Sequence, residues 1–220
     1  MSKLSETESE RLTELDSDAA VTSSEFSLEQ RRLLLRIAHE AILAAVEESR
    51  HGGQSGMQEK AGLVSTEDPA SARLLEPRGV FATLYLDGEL RGCVGYAAPV
   101  APLYRAVAET ACAAAFEDSR FLPVMKEEAA RLEISLSVLS RLFPIDPRVV
   151  EVGRHGLVIT QGARRGLLLP QVPVEYGWDR DTFLEQTCYK AGLAPDAWRN
   201  AMVEAFTAEV FSDSDAGVSS

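Results

Sequence analysis

The sequence predicts an α+β fold in which mostly antiparallel sheets carry flanking helices. Three observations lead there. Helix-period segments and hairpins are interspersed without a regular βαβ alternation. Two hairpins are marked by glycine-containing turns, at Asp87-Gly88 and at Gly162-Ala-Arg-Arg165. Residues 132–139 alternate cleanly, with Leu132, Ile134, Leu136 and Val138 opposite Glu133, Ser135 and Ser137, which is the pattern of a strand with one buried and one polar face.

The elements follow in chain order. Residues 1–26 read as a disordered acidic tail, since the stretch to Glu25 holds seven acids against Lys3 and Arg11. Ser27-Leu-Glu-Gln30 fits a capping box and opens a helix. Leu34, Ile37, Ala41 and Ala45 give that helix one apolar stripe, and it stops before the glycine-rich stretch 51–56. Asp68-Pro69 suggests a helical turn. Residues 80–86 and 89–96 then form the first hairpin. In a regular register Leu84 pairs with Arg91 and Ala82 with Cys93, so that Glu89, Arg91, Cys93 and Gly95 share one face. Phe81, Tyr85, Leu90 and Val94 then belong to the core face.

An alanine-rich helix is expected over 102–117 and a helical turn over 124–131, ahead of the alternating strand. Residues 156–161 and 166–169 form the second hairpin, and Pro170-Gln-Val-Pro173 breaks the pattern. A helix over 181–191, capped by Asp179 or Asp181, stops at Gly192. A short helix starts at Pro195-Asp-Ala-Trp198. Residues 203–211 read as one last strand, and 213–220 as a flexible tail. The folded domain is thus expected over 27–212.

Composition narrows the function. A chain of 220 residues with 45% apolar content can bury a core. Its net charge of −12 disfavours coating a nucleic acid, which relies on Lys and Arg displacing counterions. No apolar run of 18 residues is present and the N-terminus lacks a signal-peptide pattern, so the expected location is cytoplasmic and no membrane is expected as a partner. Three widely spaced cysteines and three histidines make no metal-ligand spacing. No metal or cofactor is implied, and neither Gly153-Arg-His-Gly156, read as a plain turn, nor Gly162-Ala-Arg-Arg-Gly166 follows the phosphate-loop pattern.

Several stretches together resemble one known family. Leu90-Arg-Gly-Cys-Val-Gly95 resembles the hallmark of the AMMECR family, whose usual form has Ile where this chain has Val94. Ala114-Ala-Phe-Glu-Asp-Ser-Arg-Phe121, the strand 132–139, Gly166-Leu-Leu-Leu-Pro-Gln-Val172, Glu175-Tyr-Gly-Trp178 and Lys190-Ala-Gly192 resemble its further blocks, in order. The resemblance implies two subdomains facing each other across a cleft. It also implies association with Memo-type and radical S-adenosylmethionine proteins encoded in the same gene cluster. It implies no particular reaction and no oligomeric state.

Cys93 is the candidate catalytic residue, read either as a thiolate nucleophile or as a small residue in a close-packed hairpin. Glu117 is a weaker candidate for an acid or base near it, in a turn that also holds Asp118 and Arg120, set against plain helix-end and turn chemistry. Arg91 is a candidate anion anchor or one half of a structural ion pair, for example with Glu117 or Asp118. Gly92 and Gly95 leave room for a ligand or for another element. Gln171 and Lys190 complete the expected binding residues. Two readings stay open: an enzyme, or accessory subunit of one, that binds a small anionic or modified substrate in the cleft near 90–95, and a non-catalytic adaptor presenting the same surface to a protein.

Overall fold

The computed structural model describes residues 24–51 and 72–217. In chain order the elements are α1 (Leu28–His51), α2 (Ala72–Leu75), β1 (Val80–Leu86), β2 (Glu89–Tyr96), α3 (Leu103–Phe116), α4 (Lys126–Ala129), β3 (Glu133–Leu139), β4 (Phe143–Pro144), β5 (Gly156–Gln161), β6 (Arg164–Leu168), α5 (Gln171–Glu175), α6 (Arg180–Lys190), β7 (Met202–Phe206), β8 (Ala208–Ser212) and α7 (Asp213–Ala216). Short 3₁₀ turns lie at Pro147–Val149 and Ala197–Arg199. The strands form two four-stranded antiparallel sheets, β2-β1-β3-β8 and β4-β7-β5-β6.

The first sheet buries one face under α1 and α3. Leu34, Ala38 and Ile42 of α1 meet Ala82, Leu84, Ile134 and Leu136 in a core that also takes Ala106, Ala111 and Ala114 of α3. The small side chains of α3 let it lie close on β2: a Cβ at Gly92 would sit 2.1 Å from the Ala114 carbonyl oxygen. The second sheet repeats the device. Its helix α6 buries Phe183, Leu184 and Cys188 against Leu157, Ile159 and Ala205. A Cβ at Gly166 would sit 2.4 Å from the Ala191 nitrogen.

The capping box holds as the sequence dictates: the Ser27 amide donates to Gln30 Oε1 at 2.9 Å, and the Gln30 amide to Ser27 Oγ at 3.2 Å. Asp179 caps α6 by accepting from the Thr182 amide at 2.8 Å. Gly192 ends it with φ +70. Asp87 and Gly88 both have positive φ, as a two-residue hairpin turn requires.

Four expectations are corrected. The single last strand is two strands in different sheets, because the chain turns at Thr207 from β7 into β8. Pro170-Gln-Val-Pro173 does not only break the pattern: it opens α5, where Pro is tolerated in a first turn whose amides have no intrahelical partner. Where a loose tail is expected from residue 213, Asp213–Ala216 form a helical turn capped by Ser212, with Asp213 buried beneath α1. Residues 24–26, assigned to the acidic tail, already belong to the folded body, with Phe26 buried against Phe211. The rest of that tail, the loop expected after the first helix and the turn at Asp68-Pro69 lie outside the described residues.

The chain leaves the first sheet after β3, builds the whole second sheet, and returns as β8 beside β3. The outgoing and returning segments touch: the Ser140 amide donates to the Thr207 carbonyl at 2.8 Å, and the Thr207 amide to Ser140 Oγ at 3.0 Å. Where the sheets face each other, a small core of Leu139, Val158 and Phe206 joins them, with Phe81, Leu167 and Leu169 packed against it. Two cavities flank that core.

Candidate functional site

The hairpin carrying Cys93 does not keep the regular register. Tyr85 pairs with Leu90, but Leu84 pairs with Gly92, so Arg91 is an extra residue in β2. Such a bulge re-aims side chains on either side of it. Cys93 therefore pairs with Thr83, not Ala82, and the face assignments change. Val80, Ala82 and Leu84 are core residues, whereas Phe81 and Thr83 lie on the face opposite the helices, together with Cys93. Leu90, expected in the core, is exposed.

Along that face one polar row crosses all four strands. Cys93 of β2 pairs with Thr83 of β1, Thr83 with Ser135 of β3, and Ser135 with Ser212 of β8. The Thr83 hydroxyl donates to Cys93 Sγ at 3.3 Å. The next row holds Gly95, Phe81, Ser137 and Val210. The strand read from sequence as polar-faced thus turns its serines toward the second sheet.

Over these rows lies a cavity of about 470 Å³. Its floor includes Cys93, Thr83, Phe81 and Ser137, and its opposite wall includes Arg154, Leu169, Gln171 and Glu175. The volume is in the range of small-molecule sites. The Arg154 guanidinium reaches Glu151, with Nη1 at 3.1 Å from both carboxylate oxygens.

The backbone of Cys93 is fixed from the sheet edge. Its amide donates to Asp118 Oδ2 at 2.9 Å, and its carbonyl accepts from Arg120 Nη2 at 3.5 Å. Arg120 also holds both oxygens of Asp118. Hydrogen bonds from the Arg120 guanidinium and then from the Cys93 amide hold the Asp118 carboxyl well below the usual carboxylate range. Asp118 and Arg120 thus cover the exposed edge of β2 at the thiol's own residue.

The other expected residues fall in different places. Arg91 is turned away from the cavity and only 14% of its side chain is exposed. It makes two hydrogen bonds to Glu128, at 3.2 Å and 3.0 Å, and keeps that carboxyl low. Arg91 is one half of an ion pair, but its partner is Glu128 on α4 and not Glu117 or Asp118. Gly92 lies under α3, and Gly95 lies under the Phe81 ring, which a Cβ would approach to 2.3 Å. Gln171 lines the cavity as the first residue of α5. Glu117 is an exposed C-cap of α3 and Lys190 an exposed last residue of α6; neither lines the cavity.

Thr83, Ser137 and Arg154 were missed by sequence reasoning. The bulge hides the first, the third sits in a turn whose surroundings come from α5, and Ser137 could be assigned a polar face but not a partner. Of the cysteines, Cys188 is fully buried in the second core, and burial pushes its thiol up. Among the described residues no three His, Cys, Asp or Glu side chains come together as metal ligands. No described helix is long and apolar enough to cross a membrane.

The sequence model of the AMMECR1 family matches residues 35–211. A protein of Methanopyrus kandleri, Protein MK0488, is 41% identical over 201 residues, which is 86% of this chain and 91% of that one. A Thermococcus gammatolerans protein is 41% identical over 193 residues, covering 82% and 88%. The crystal structure of an uncharacterised Pyrococcus horikoshii protein, PH0010, superposes with a TM-score of 0.59 at 38% identity, covering 85% of this chain and 93% of that one.

Proposed function

The chain belongs to the AMMECR1 family, and from that premise we propose that its inter-sheet cleft binds a small anionic or modified substrate over Cys93, as an enzyme or as the accessory subunit of one. One observation carries the reading: Cys93 Sγ, with the Thr83 hydroxyl directed at it, forms part of the floor of a ligand-sized cavity. A thiol that served only packing needs neither a hydroxyl row beside it nor empty volume above it. The cavity walls suit a mainly apolar body, met by Phe81, Leu169 and Val174. Arg91 is committed to Glu128 and does not line the cavity, so anion anchoring falls to Arg154 on the opposite wall, which is itself paired with Glu151 and shares its remaining donors with the substrate. The Gln171 amide adds a donor and an acceptor. Cooperation with Memo-type and radical S-adenosylmethionine proteins belongs to the same proposal and rests on the family resemblance alone.

Alkylation tests it. In the native protein Cys93 reacts with iodoacetamide while Cys188 stays protected until unfolding, as mass spectrometry of the digested protein reads. Cys93 alkylating only together with Cys188, on unfolding, removes the cleft reading.

A further inference from the structure

A second cavity, of about 550 Å³, opens between the two sheets and shares with the Cys93 cavity only Leu139 of its lining. Its apolar lining includes Leu142, Leu167, Phe206 and Pro99. Its charged lining is Arg78, Arg141 and Arg165, with no acid. Glu204, on the same face of the second sheet as Phe206, does not line it.

The acids behind this wall neutralise it only in part. Arg78 is 4% exposed, and its donors are taken by Glu25, by Glu76 and by the Leu139 carbonyl at 3.2 Å. Glu76 gives its other oxygen to Arg141 Nη2 at 2.8 Å. The Arg165 guanidinium, on a residue whose backbone pairs with Thr160 of β5, has no hydrogen-bonded or acidic partner among the described residues. Two carboxylates thus face three guanidiniums, which leaves about one positive charge beside an apolar lining in a chain of net charge −12. Arg165 and Leu167 are two apart on β6 and point to the same side.

We propose that this cavity binds a small amphipathic monoanion, a carboxylate on an aliphatic body. Its headgroup lies between Arg165 and Arg141, and its body lies on Leu142, Leu167 and Phe206. A guanidinium pairs well with a planar carboxylate. A single excess charge matches one carboxylate and not a dianion or a phosphate backbone. The volume leaves room for a chain of several methylenes.

The test titrates octanoate into the full chain and follows methyl resonances of Leu142 and Leu167 by NMR, with octanamide as the uncharged counterpart. Saturable shifts at these methyls with octanoate, and at least tenfold weaker ones with octanamide, are expected, in keeping with a charge-assisted hydrogen bond. Arg165→Ala weakens octanoate by about tenfold, whereas Arg164→Ala leaves it unchanged, because Arg164 is directed to the Gly192 carbonyl. Octanamide binding as tightly, R165A binding unchanged, no saturation at millimolar octanoate, or shifts confined to Leu169 and Val174 of the Cys93 cavity would each overturn the proposal. Failure here leaves the Cys93 alkylation result untouched, so the two readings are separable.

Discussion

His155 shows how a single residue in a turn can carry a measurable property. It sits in the turn Gly153-Arg-His-Gly156, buried, with Nδ1 accepting from the Glu151 amide at 3.0 Å and the Phe143 ring centroid 6.1 Å away. The bond needs an unprotonated Nδ1, and burial holds the imidazole below its ordinary value. A group whose folded value is depressed contributes its full stability above the unfolded value, about 6.5, and loses it as pH falls through the folded one. Thermal unfolding between pH 7 and pH 5 is therefore expected to show a falling Tm. His155→Asn, which keeps an acceptor but no proton site, should flatten part of that fall; an unchanged pH profile would count against the assignment. At this scale the sequence was legible for caps and turns, which depend on residues a few positions apart. It was not legible for Thr83, whose partner Cys93 lies on the neighbouring strand, or for Arg154, whose ion pair with Glu151 is local but whose place on the cavity wall is set by the first sheet opposite.

The bulge in β2 decides more than any other element. A regular two-residue hairpin puts Arg91 and Cys93 on one face, and the sequence has no glycine at position 91 to announce the insertion. The extra residue is stabilised from outside, by Glu128 and the Pro123 carbonyl. One added residue moves every later side chain of the strand to the other face, which is why the thiol faces the cleft beside Thr83 while the guanidinium does not. The bounds of the first hairpin, the alternating strand and the helices α1, α3 and α6 came through because period and turn chemistry are local. The register did not, because the partner that holds the bulged Arg91 lies on α4, far from it in sequence. Glu128→Ala should leave Arg91 without its carboxylate partner and cost about 1–3 kcal/mol, read as a shift in denaturant midpoint. Gly92→Ala drives a methyl into the Ala114 carbonyl and should cost about 1–3 kcal/mol by overpacking, with a Tm lower by about 2–10 °C. A G92A protein of unchanged stability would mean that α3 does not pack as closely as its alanines allow.

In the whole molecule, the larger core holds no residue between 140 and 207, and the second core lies entirely within that span. The two parts are joined by the small core around Leu139 and Phe206 and by the crossing segments at Ser140 and Thr207. The fold class and the facing of two subdomains were readable, the first from element order and the second from the family resemblance. The insertion topology was not, since 203–211 reads as one continuous strand. Because Ser140 and Thr207 already lie side by side, residues 141–206 resemble a cassette seated in a two-pin socket. Replacing them by Asn-Gly would turn β3 and β8 into an ordinary hairpin, and the shortened chain should keep dispersed amide signals for the first sheet; collapse of that dispersion would show the halves to be interdependent. A socket of this kind lets one wall of the inter-sheet cleft be exchanged, by recombination or by design, while the half that carries the thiol stays unaltered.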